Sequence, residues 1–153
     1  MPDATIPFMT ATLLDLPDGL IVIAKRDCPT CGLVEPLLQQ LADTGTPLRV
    51  LVQDDPVYAA GVPGQHYDET LERSFRLDVE FVPTLIRMAG GRELARTYGW
   101  HRGDWQQITG LAGLGADLPE LRAGCASKTL DPGIAETLKV RFGVTGLAAR
   151  QVA

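Results

Sequence analysis

The stretch Gly19-Leu20-Ile21-Val22-Ile23-Ala24-Lys25-Arg26-Asp27-Cys28-Pro29-Thr30-Cys31 decides how this chain is read. Leu20–Ala24 is short, apolar and β-branched, and Pro17-Asp18-Gly19 bounds it, so it reads as a buried strand. Two thiols then stand with two residues between them, where the strand gives way to a helix. This is a layout for dithiol chemistry. Cys28 falls at the helix N-terminus, where unpaired N–H groups and the helix dipole favour a negative charge. Cys31 falls one turn further on, within reach of a mixed disulfide formed by Cys28.

Two other uses of the pair stay open on the motif alone. C-x-x-C is half of a zinc site, but Cys125, His66 and His101 are the only further Cys or His ligands, and none forms a second closely spaced pair. A purely structural disulfide would close a loop so short that it constrains the unfolded chain little.

Working outward, Thr30-Cys31-Gly32-Leu33-Val34-Glu35-Pro36-Leu37-Leu38-Gln39-Gln40-Leu41 carries a proline inside a helical pattern, which removes a hydrogen bond and bends the axis. The spacing predicts a helix over Cys31–Ala42, stopped by Asp43-Thr44-Gly45-Thr46-Pro47. Leu48–Gln53 reads as a strand, parallel to the first through a right-handed crossover. Tyr67–Phe75 reads as a helix. Phe81-Val82-Pro83-Thr84 leads into Leu85-Ile86-Arg87-Met88, and Thr84–Met88 with Glu93–Tyr98 reads as a hairpin. Asp104-Trp105-Gln106-Gln107 reads as a capping box opening a helix to about Leu114. Residues 5–15 fit either a strand or a short helix.

In these features the chain resembles thioredoxin over about residues 18–113. Pro36 follows Cys28 by eight residues, as a helix proline does in that family. Val82-Pro83-Thr84 matches the β-branched residue and cis-proline that open a later strand beside the cysteines. Met88-Ala89-Gly90-Gly91-Arg92-Glu93 matches the glycine-turned hairpin, and Tyr98-Gly99 the glycine before the last helix. The resemblance implies an α/β, thioredoxin-like fold with a central mixed sheet flanked by helices. It implies a thiol–disulfide oxidoreductase in which Cys28 attacks a substrate disulfide and Cys31 resolves the mixed disulfide. Pro29, Thr30, Val82 and Pro83 would line the docking surface, and the Val82 backbone would pair with the substrate chain. The implied partners are a disulfide-containing protein and, as electron donor, a flavin reductase or glutathione. No metal and no organic cofactor is expected.

The chain departs from the family at three places. Arg26-Asp27 stands where thioredoxins usually carry a tryptophan before the first cysteine. Val22 stands where they usually bury an aspartate that moves protons to and from the second. Pro29-Thr30 replaces the usual Gly-Pro, and a proline directly after the first cysteine resembles glutaredoxins, so the reduction potential is not set by the family. Glu35 is read as a solvated helix residue. A glutathione-dependent reductase and a non-catalytic interaction module on the same fold are the alternative readings.

The chain has 153 residues, the size of one domain with a sizeable core. Its net charge of −5 argues against nucleic acid or an anionic membrane as partner. No apolar run approaches the length of a membrane span. Met1-Pro2-Asp3-Ala4-Thr5 has no basic residue, unlike a signal peptide, so a cytoplasmic protein with reduced cysteines is expected. The thioredoxin-like domain is read as residues 1–116, with residues 117–153 as an extension packed on or beside it.

Two segments lie outside the family plan. Asp54–His66 lengthens the interval from Cys28 to Pro83 to 55 residues. It follows a strand parallel to the one that feeds Cys28, so it should lie near the cysteines, as a surface insertion or as a substrate contact. The tail contains Leu118-Pro119-Glu120-Leu121-Arg122, then Ala123-Gly124-Cys125-Ala126-Ser127-Lys128, then a predicted helix over Ile134–Arg141. Cys28 is expected to be solvent-accessible, with a pKa below that of a free thiol. Cys125 is expected to pack on the opposite face as a bystander. His66 and His101 read as surface or turn residues, and Trp100 and Trp105 as packing residues.

Overall fold

The computed structural model describes residues 18–128. The elements expected over 5–15 and Ile134–Arg141 lie outside them. The described residues form an α/β structure around a mixed five-stranded sheet in the order β3-β2-β1-β5-β6. Strand β1 (Gly19–Ala24) pairs parallel with β2 (Leu48–Val52), which pairs parallel with β3 (Gln65–Tyr67). On its other side β1 pairs antiparallel with β5 (Thr84–Ala89), which forms a hairpin with β6 (Arg92–Tyr98). Strand β5 alone therefore runs against the rest. All of β1 is buried, as its unbroken apolar run requires of a central strand.

Helix α1 (Pro29–Asp43) makes the crossover between β1 and β2. Pro29 starts it, where a missing N–H costs nothing. Val34, Leu37, Leu38 and Leu41 recur at helical spacing and are buried. Pro36 deprives the Gly32 carbonyl of its helical donor, but Gly32 is exposed, so water can supply the bond. The β5–β6 turn uses Gly90 and Gly91 at φ 62° and 74°, a backbone region that side chains disfavour. The Asp18 carboxylate accepts from both of their N–H groups, at 2.8 and 3.2 Å.

Two predicted helices begin elsewhere. In place of a helix over Tyr67–Phe75, Gln65–Tyr67 joins the sheet edge, and helix α2 spans only Glu72–Arg76. The Asp68 carboxylate accepts from Arg73 N at 3.1 Å and Ser74 N at 2.8 Å, so the turn before α2 is spent on capping it. Helix α3 (Arg102–Thr109) starts two residues before the proposed capping box and ends at Gly110, not near Leu114. His101 is its N-cap, with Nδ1 accepting from Asp104 N at 3.2 Å. Histidine is not among the favoured capping residues, so the pattern pointed past it to Asp104.

The tail is woven into this frame. Strand β4 (Phe81–Val82) pairs antiparallel with β9 (Cys125–Ala126), and β7 (Trp100–His101) with β8 (Leu121–Arg122). Trp100, fully buried beside Trp105, donates its indole N–H to Pro119 O at 2.6 Å. Arg102 donates to Leu118 O at 2.6 Å. Buried Gln53 donates to the Ser127 and Ser74 hydroxyls at 2.7 and 3.0 Å, and its carbonyl accepts from Lys128 N at 2.9 Å. No helix of the described residues is long and apolar enough to cross a membrane.

Candidate active site

Cys28 is the N-cap of α1, in extended backbone, and its sulfur accepts from Cys31 N at 3.4 Å. The sharp turn from β1 into α1 would leave N–H groups of Arg26 and Asp27 without partners. The Asp54 carboxylate takes both, at 2.7 and 3.0 Å. Arg26 ion-pairs with Glu35 at 3.2 Å and lies over the Tyr58 ring, 5.2 Å from its centroid. Tyr58, fully buried, donates its hydroxyl to Cys31 O at 2.6 Å, and Ala59 N donates to Glu35 at 2.8 Å. The 54–66 segment thus lies beside the cysteines, and its first six residues brace the turn that presents them. Glu35, expected to be solvated, is a tether between that loop and the turn.

Four of the six expected site residues meet at one point. The Val82–Pro83 bond is cis, and Val82 O lies 3.7 Å from the Cys28 sulfur. Cys31 is buried one turn behind, accepting from Lys25 N at 3.4 Å. Pro29 is exposed at the start of α1. Thr30 is buried, and its hydroxyl donates to the tail carbonyl of Ala123 at 2.5 Å.

Two expectations fail here for one reason. Cys28 is not solvent-accessible: only 3% of its surface is exposed. Cys125 does not pack on the opposite face: it stands directly opposite Val82 in the β4–β9 ladder, and the Val82 carbonyl oxygen lies 3.7 Å from the Cys28 sulfur. The tail strand runs along the edge that Val82 offers and covers the first thiol. The sequence held one signal of this. Ala123-Gly124-Cys125-Ala126 is a run of small residues, and a Cβ built on Gly124 would run into the Val82 carbonyl oxygen. Only a glycine permits that approach.

The thiols are electrostatically unequal. Burial pushes Cys28 up, but hydrogen bonds from the Cys125 side chain, from Cys31 and from Thr30 outweigh it, and its pKa lies below that of an ordinary thiol. Burial, only partly relieved by the Lys25 N–H, holds Cys31 far above the ordinary range. Cys125 is half-buried and raised, mainly because its thiol donates to Cys28. Burial likewise keeps the Tyr58 hydroxyl protonated, as a donor to Cys31 O must be.

The histidines stand apart from this cluster. His101 caps α3, and His66 lines a cleft with Asp68, Arg73 and Arg76 that shares no residue with the cysteines. Among the described residues, no group of three or more His, Cys, Asp and Glu side chains is arranged to hold a metal ion. Comparison of the chain with protein-family models and with curated proteins returned no match.

Proposed function

We propose that this chain is a thioredoxin-like thiol–disulfide oxidoreductase that reduces or exchanges protein disulfides through Cys28 and Cys31. The observation that carries the reading is the inequality of the two thiols. One is held at a helix N-terminus with a lowered pKa, and the other is buried and kept protonated one turn behind it. The sheet order, with β5 alone antiparallel, and the cis Val82–Pro83 bond against Cys28 support the thioredoxin-like reading of the fold.

The Cys28 thiolate attacks one sulfur of a substrate disulfide. A Cys28–substrate bond forms, the substrate S–S bond breaks, and its electron pair leaves on the second sulfur, which takes a proton. Cys31 then loses its proton and attacks the Cys28 sulfur. The Cys28–Cys31 bond forms and the first substrate sulfur leaves as a thiol. Two electrons have moved from the pair to the substrate. An external donor, a flavin reductase or two molecules of glutathione, returns them. Val22 offers no carboxylate to receive the Cys31 proton, and it is fully buried. That proton therefore leaves by another route than in relatives with an aspartate there.

Reduction of insulin disulfides with dithiothreitol as donor tests the reading. The wild type should accelerate it, Cys28→Ser should abolish the acceleration, and the double variant Cys31→Ser/Cys125→Ser should stall as a mixed disulfide on Cys28. Full turnover by Cys28→Ser would refute the assignment.

A further inference from the structure

Three observations converge on the edge of β4. The Val82 backbone, the group expected to pair with a substrate chain, pairs with Cys125. Thr30, expected to face the substrate, bonds Ala123 O. The strand is not merely resting there, because buried Gln53 fixes the next two residues, Ser127 and Lys128, through a side chain that is 0% exposed. A chain segment in the substrate's place, carrying a thiol beside the attacking cysteine, has the geometry of a bound substrate.

We propose that Cys125 is a third redox thiol, which forms a disulfide with Cys28 from a strand that occupies the substrate-docking edge. The proposal rests on the exchange chemistry given above. Once Cys28 is joined to an external disulfide, it has two internal thiols within reach. Cys125, as thiolate, attacks the Cys28 sulfur. The Cys28–Cys125 bond forms, the Cys28–external bond breaks, and the electron pair leaves on the external sulfur, which takes up the proton released by Cys125. The external disulfide is the oxidant and is reduced by two electrons. The raised pKa of Cys125 does not oppose this step, since its main cause is donation to the Cys28 thiolate, which the mixed disulfide removes. Cys125 is also the more exposed of the two sulfurs, so the new disulfide lies nearer the surface than the Cys28–Cys31 bond.

Cys31→Ser, which retains only Cys28 and Cys125, isolates the step. The reduced variant is incubated with oxidised glutathione, free thiols are alkylated, and the linkages are mapped by mass spectrometry of peptides. A tethered thiol acts at an effective concentration in the millimolar range, so with glutathione at about 0.1 mM the internal Cys28–Cys125 disulfide should exceed the glutathione adduct roughly tenfold. Accumulation of the Cys28–glutathione adduct, with Cys125 still open to alkylation, would overturn the proposal and leave the exchange chemistry of Cys28 standing. A Cys28 that never reacts would overturn both. Cys31→Ala repeats the test if serine disturbs the buried position.

Discussion

At the scale of single residues, the surroundings of Cys28 set its reactivity. Its thiolate is the reactive form, so alkylation should speed up as pH rises through its pKa, with the half-maximum below that of an ordinary free thiol. Of the influences that lower it, the Cys125 side chain is the largest. Cys125→Ala should therefore move the pH–rate profile of Cys28 upward, and a profile that stays or falls would show that another group sets its acidity. Cys28 and Cys31 were legible from their short spacing, and the cis bond before Pro83 from the resemblance to thioredoxin that Val82-Pro83-Thr84 carries. The place of Cys125 was not, because it depends on which distant strand the tail pairs with, and no local periodicity encodes that choice.

At the scale of elements, the loop after β2 and the strand β9 have opposite effects on the site. The loop braces it. Tyr58→Phe removes a buried hydrogen bond to the Cys31 carbonyl and should lower stability by about 1 kcal/mol, read as a lower urea midpoint. Strand β9 covers the site. Gly124→Ala places a methyl group against Val82 O, so the strand must move away from β4. Cys28 should then alkylate at least about tenfold faster at fixed pH, roughly 1.4 kcal/mol of lost protection. An unchanged rate would mean that β9 does not control access. The elements β1, α1, β2, β5 and β6 were legible within a residue or two, the first four because each buries an apolar pattern and β6 because the Gly90-Gly91 turn fixes it as the partner of β5. Helices α2 and α3 were misjudged at their starts, where Asp68 and His101 cap through contacts that a pattern of apolar residues does not report.

At the scale of the whole molecule, the boundary read at residue 116 does not separate two independent layers. Residues 118–128 supply the acceptors for Trp100 and Arg102 and two of the three partners of Gln53. A chain ending at Ala116 should be less stable than one ending at Lys128 by roughly 3 kcal/mol, at about 1 kcal/mol for each of the hydrogen bonds that Trp100, Arg102 and Gln53 lose with the tail. Equal urea midpoints would show that the tail is dispensable to the fold. The boundary was not legible because short β-bridges such as β4–β9 and β7–β8 leave almost no compositional trace. The central claim concerns a two-electron couple, and its most direct test is an equilibrium. The protein is poised in thiol–disulfide buffers from about −320 to −120 mV, a range that spans the known exchange proteins and cellular thiol pools. Free thiols are then alkylated and the cysteine linkages mapped. A Cys28–Cys31 disulfide should appear cooperatively at one potential within that window. If Cys28 and Cys31 both remain open to alkylation at every potential, the pair is not a redox centre and the reading fails.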